Sequence, residues 1–140
     1  MERPRLPRLI RQAIRTPDGT ILESRNRHDF VNHVDKVTGE TYMIDGGIDY
    51  CRRSVNKVPA EDLSVYLEDG IEDVRETVTW GTYGRNGDQP RRLVKLKDMS
   101  DEHIEACLET QLRMHPHYQE AFNMELQYRR DHDITIKDVA

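Results

Sequence analysis

The chain has 140 residues, 36% hydrophobic and 34% charged, with a net charge of −5. That composition supports one modest aliphatic core and excludes a disordered chain, while the absence of any apolar run near about 18 residues excludes a helical membrane span. Two cysteines, Cys51 and Cys107, with no CxxC pair, exclude a disulfide framework and a cysteine zinc site and fit a reduced cytoplasmic compartment.

Residues 1–15 hold five arginines (Arg3, Arg5, Arg8, Arg11, Arg15) against Glu2, so a basic arm precedes an acidic body. Such an arm suits nucleic acid or the acidic face of a sister subunit, or simply solubilises a terminus. Pro4 and Pro7 forbid a regular helix there, and the prolines of "MERPRLPRLI", with no apolar core segment, exclude a secretory signal.

"TPDGT" (Thr16–Thr20) is a turn signal, and it predicts strands over Ile10–Arg15 and Thr20–Ser24. Phe30, Val31 and Val34, then "DKVTGE", then alternating Thr41–Ile44 predict a β-hairpin. "DGG" at Asp45–Gly47 breaks that strand, and Ile48–Ser54 closes the first half. Ile71–Val78 predicts a short helix after Gly70. "GRNGDQP" lacks the Lys and Ser/Thr that a phosphate-binding loop needs after its last glycine, so its glycines predict a hairpin turn. Arg91–Met99 then reads as a strand. Ser100 is a helix N-cap, followed by Asp101 and Glu102 in the first turn, and Ile104, Cys107, Leu108 and Leu112 share one face. Pro116 opens a second helix with Tyr118, Ala121, Phe122 and Leu126 as its apolar stripe.

Together these elements predict an α+β fold: a small antiparallel sheet from residues 10–50 and 78–97 with a C-terminal antiparallel helical hairpin, 100–130, packed on it. The predicted organisation is a basic arm over 1–14, a single α+β domain over 15–130 and a tail over 131–140. Leu112, Met114, Phe122 and Met124 exceed what one helical face hides, which predicts a homo-oligomer, a dimer first.

Four constellations carry chemistry. Trp80, Tyr83, Arg85, Arg91 and Arg92, with Arg52 and Arg53, combine aromatic and guanidinium groups for a base and a phosphate. The acidic run Glu61–Glu76, with Glu68, Asp69, Glu72 and Asp73 at its centre, is either a solvated face or a surface offered to a basic partner. His28, Asp29, Asp45 and Asp49 meet if the hairpin pairs as read, and carboxylates beside a histidine suit metal-assisted hydrolysis, although Asp-Gly-Gly is also ordinary turn chemistry. His115 and His117 lie in a loop, without a helical metal-binding spacing. No residue stands in a nucleophile motif, no catalytic residue or metal ligand is assigned, and no cofactor is expected.

"ILESRNRHDFV…IDGGIDYCRR…EDLSVY" and "WGTYGRNGDQPRRLVKLKDMSDEHIEACLETQ…EAFNMELQYRR" resemble a family of small proteins of tailed bacteriophages, over about residues 15–130. In that family cysteine pairs flank the first strands in a zinc-ribbon-like knuckle. Here Arg15 and Asp18 stand at the first pair and the hairpin "HVDKVTGET" at the second, so the resemblance implies a lost metal whose structural work a longer hairpin takes over. It also implies a viral accessory role in the cytoplasm of the infected host, in host takeover or anti-defence: binding and inhibiting a host macromolecule, or sequestering a nucleotide signal or nucleic acid. A host protein is the first expected partner.

Overall fold

In the computed structural model, residues 7–84 and 86–138 are described. Arg3, Arg5 and Arg85 therefore lie outside the described residues. The chain is α+β and falls into two compact units, one of residues 9–66 and one of residues 67–140 with the N-terminal residues up to Arg8.

The first unit is all strand and turn. β1 (Leu9–Arg15) is its central strand, paired antiparallel with β2 (Ile21–Ser24) on one side and with β6 (Glu61–Asp62) and β7 (Val65–Tyr66) on the other. The strand predicted over Ile10–Arg15 is thus present, and the part of the basic arm from Leu9 to Ile14 is built into the sheet. The reason is that Ile10, Ala13 and Ile14 are buried while Arg11 and Arg15 find Glu23 and Glu61. A second sheet runs β3 (Val31–Val34), β4 (Thr41–Asp45) and β5 (Arg52–Arg53). Ile14 and Leu22 of the first sheet meet Tyr42 and Ile44 of the second in one apolar cluster, joined by Val31 and Ala60. Ile48–Ser54 yields only the two residues of β5, because the amides of Asp49 and Tyr50 turn back onto the Gly46 carbonyl.

The second unit holds α1 (Ile71–Thr77), the two-stranded ribbon β8 (Thr79–Thr82) and β9 (Arg92–Lys95), α2 (Asp101–Thr110) and α3 (Pro116–Asp131). The strands of residues 78–97 therefore form their own sheet and do not join those of 10–50. Ser100 caps α2 by accepting the His103 amide, and Pro116 sits in the first turn of α3, as the sequence predicts. Val74, Leu96, Met99, Ile104, Cys107, Ala121 and Phe122 make the core. Met114 and Phe122, two of the residues predicted as surplus apolar surface, are buried within it. Leu112 is instead 85% exposed, because α2 stops at Thr110 and Gln111 leaves helical geometry. Beyond α3, Asp133 adopts a left-handed conformation and the chain turns back. The Ile136 carbonyl then accepts the first amide of α2, at 2.8 Å, from Asp101. No described helix is long and apolar enough to cross a membrane.

Candidate functional site

The aromatic and guanidinium residues are split by strand alternation. Trp80 turns inward and meets Phe122 edge-on, with ring centroids 5.4 Å apart. Gly81, next along β8, presents the opposite face, and the Arg91 guanidinium lies across it: a Cβ there would sit 2.7 Å from Arg91 Nη2. Tyr83 is 53% exposed beyond the strand end, and Arg92, opposite Thr82, is exposed. Arg52 and Arg53 belong to the other unit and are committed there. Arg52 pairs with Asp45 at 2.9 Å, and Arg53 reaches Gln12, Ser64 and Asp62. The predicted site thus reduces to Tyr83 and Arg91 flanking the bare Gly81.

The acidic run is largely neutralised. Glu61 pairs with Arg15, Asp62 with Arg53, and Glu68 with the amide and guanidinium of Arg8. Glu72 accepts the Tyr128 hydroxyl at 3.1 Å, which pushes that hydroxyl's pKa up. Glu76 takes both Lys97 and Lys95, and their hydrogen bonds hold its carboxyl below the usual carboxylate range. Asp69 and Asp73 are exposed.

Sequence reasoning missed a different acidic face. Glu102, Glu105 and Glu109 recur at three and four residues on α2, all exposed and in no ion pair among the described residues. Like charges at this spacing destabilise a helix by about 0.2–0.5 kcal/mol per pair. The signal lay in the glutamates opposite the Ile104–Cys107 stripe. Exposed Leu112 follows the end of the same helix.

The histidine and carboxylate set also differs from expectation. Asp29 caps its own turn by accepting the Arg25 amide, and Asp45 accepts the Gly46 amide and Arg52. His28, Asp29, Asp45 and Asp49 form no group with metal-competent spacing among the described residues; Asp18, His33 and Asp35 do, with donor atoms within 4.8 Å of one another. This trio bridges the two hairpin turns. Its oxygens, however, are occupied. Asp35 accepts the amides of Asp18, Val37 and Thr38, together with the Thr38 hydroxyl. Asp18 accepts the Thr16 hydroxyl, the amides of Thr20 and Lys36, and His33 Nε2 at 2.7 Å. A zinc ion lacks its thiolates here and would have to displace N–H donors, so the trio does not fit one; it is a hydrogen-bonded lock between turns. His115 and His117 likewise serve a helix start, with His115 Nδ1 accepting the His117 amide.

The lock carries a pH signature. Hydrogen bonds from Thr20, Lys36 and His33 hold the Asp18 carboxyl far below its ordinary value, and in Asp35 the bonds from the Asp18 and Thr38 amides outweigh the upward push of burial. Folded values below unfolded ones mean stability that is full above the unfolded pKa, about 4, and is lost as pH falls through the folded values. The expected result is a melting temperature of the first unit that is indifferent to chelator and falls steadily below about pH 4, less so in Asp18→Asn. A melting temperature that drops with chelator at neutral pH would contradict the lock.

No protein-family model, no curated protein and no solved structure matches this chain.

Proposed function

We propose that this chain is a non-enzymatic accessory protein of phage origin that binds and blocks a host macromolecule in the cytoplasm of the infected cell. The observation that carries this reading is the α2 face. Three unpaired carboxylates, Glu102, Glu105 and Glu109, sit at helical spacing beside exposed Leu112, in a molecule whose other acids are mostly held in ion pairs and turns. Glu105 and Glu109 stand four residues apart as like charges, at a small cost to the helix, and such a local inconsistency is of the kind that marks binding surfaces. The partner is a protein with a basic surface, one that ordinarily holds nucleic acid, met by long-range attraction that salt screens. The polar clusters fit this reading, because each one described satisfies the fold and none pairs a nucleophile with a base.

A second reading, binding of a nucleotide or nucleic acid, rests on Arg91 laid over Gly81 beside exposed Tyr83. One stacked base is worth about 1–3 kcal/mol. A single capture experiment from host lysate, with bound protein and bound nucleotide or nucleic acid both read out, separates the two. On the first reading, Glu102→Lys, Glu105→Lys and Glu109→Lys together abolish capture of a host protein, while Tyr83→Ala with Arg91→Ala leaves it intact. The reverse pattern favours the ribbon, and capture indifferent to both sets removes both surfaces.

A further inference from the structure

The β3 strand has a free edge. Among the described residues it pairs only with β4, and the bond from the Asp35 amide to the Glu40 carbonyl fixes the phase of that ladder. Antiparallel ladders alternate, so His33 and Val31 direct their backbone groups at β4, while Val34, Asn32 and Phe30 direct theirs outward. The β4–β5 ladder agrees, since the Met43 carbonyl, opposite Asn32, accepts from Ser54 on the far side.

The side chains obey the same alternation. Phe30 is 54% exposed, Asn32 is exposed and Val34 is 61% exposed, whereas Val31 and His33 turn inward. One row of residues therefore offers both unpaired backbone groups and exposed, uncharged side chains. Natural edge strands are ordinarily blunted by a charge or a proline, and this row has neither. The edge strand β2 shows the contrast: it carries Glu23, held by Arg11 and Arg25.

We propose that β3 pairs antiparallel with β3 of a second copy about a two-fold axis at Asn32, joining two three-stranded sheets into one. The occupant follows from self-complementarity. Outward-pointing residues must face outward-pointing residues, and centring on Asn32 sets Phe30 against Val34 twice and Asn32 against itself. Every facing pair on the outer face is then apolar with apolar or amide with amide, and each supplies two backbone hydrogen bonds. Because these positions carry no charge, two chains of net charge −5 meet there without like charges opposed. A two-fold contact uses one patch twice, which is what an isologous dimer needs. The pairing replaces the predicted helical interface, whose Met114 and Phe122 are buried.

The test uses the full chain. Light scattering at high micromolar concentration should give twice 16.5 kDa, and Val34→Lys should return it to 16.5 kDa with an unchanged circular dichroism spectrum, since that side chain is largely exposed. A residue on the axis also meets its own copy. Facing Cα atoms of a hydrogen-bonded pair lie about 5.5 Å apart, inside the disulfide window of about 4.4–6.8 Å. Asn32→Cys in a Cys51→Ser background should therefore form a covalent dimer on oxidation, at least ten times faster than Val55→Cys, whose side chain is wholly exposed off this row. A wild-type monomer, leaving the edge to a strand from another protein, would overturn the proposal. So would a dimer that survives Val34→Lys or cross-links no faster through residue 32 than through residue 55.

Discussion

Glu125→Ala is expected to cost the second unit about 3–5 kcal/mol, the effect of breaking a buried ion pair from one side. Glu125 has no exposed surface and Arg129 is only 2% exposed. Glu125 holds Arg75 through two bonds, at 2.8 and 3.0 Å, and Arg129 Nε through a third at 2.8 Å. Arg129 continues to Asp101 at 2.6 Å and to the carbonyls of Leu96 and Lys97. Removing the carboxylate leaves the buried Arg129 Nε without its acceptor and leaves Asp101 as the one carboxylate facing that charge among the described residues. Arg75 keeps its place over the Tyr128 ring, at 4.4 Å, and the nearby charge of Glu72. Glu120→Ala is the control. Its contact with Arg8 is 3.9 Å long and half-exposed, so a loss of under about 0.5 kcal/mol is expected. Urea denaturation of the three proteins compares them directly, and a Glu125→Ala loss no larger than the control's would refute the network's role. The network also concerns function, because it ties α3 to α1 and, through Asp101, to the first turn of α2, the helix that presents Glu102, Glu105 and Glu109.

That network was half legible in the sequence. Glu125 falls three and four residues after Phe122 and Ala121, on the stripe read as apolar, so a charge on the buried face was visible at helical spacing. Its partner Arg75, fifty residues away, was not, because ion pairing across elements leaves no periodic trace. Local signals read well for the same reason in reverse: Ser100 at a helix start, Pro116 in a first turn and "TPDGT" between two strands each act within a few residues. Leu112 shows where periodicity misleads. It continues the Ile104–Leu108 spacing, but α2 ends before it, and Met114 turns inward instead. Trp80 and Tyr83 look like one site by proximity in sequence, but an odd offset along a strand points to opposite faces. The Asp18–His33–Asp35 lock stayed hidden because it joins two turns read as separate. Each contains an aspartate suited to capping its own loop, and only their proximity makes the carboxylates work across both.

Gly47→Ala is expected to destabilise the first unit by about 2–5 kcal/mol, and the size of the effect decides what "DGG" is for. Gly47 has a φ of +54°, which alone costs an alanine about 1–2 kcal/mol. The added Cβ would also stand 2.7–2.9 Å from the backbone of Asn26. Neither side can give way easily. The Gly47 amide donates to Ser24 Oγ at 2.8 Å, and its carbonyl accepts from the buried Gln12 amide at 2.6 Å. Gln12 in turn donates to the Asp45 carbonyl and accepts from Arg53, so the turn is clamped to the central strand β1. Gly39 separates the two costs. Its φ is +73° with open space where a Cβ would stand, so Gly39→Ala should lose only the conformational part, about 1–2 kcal/mol. Thermal denaturation of both variants reads the difference. A clear excess for Gly47→Ala means that close backbone approach, the geometry of a turn, dictates the glycine pair after Asp45. Equal losses would mean that Asn26 yields, and the glycine at 47 would then have only its positive φ to explain it.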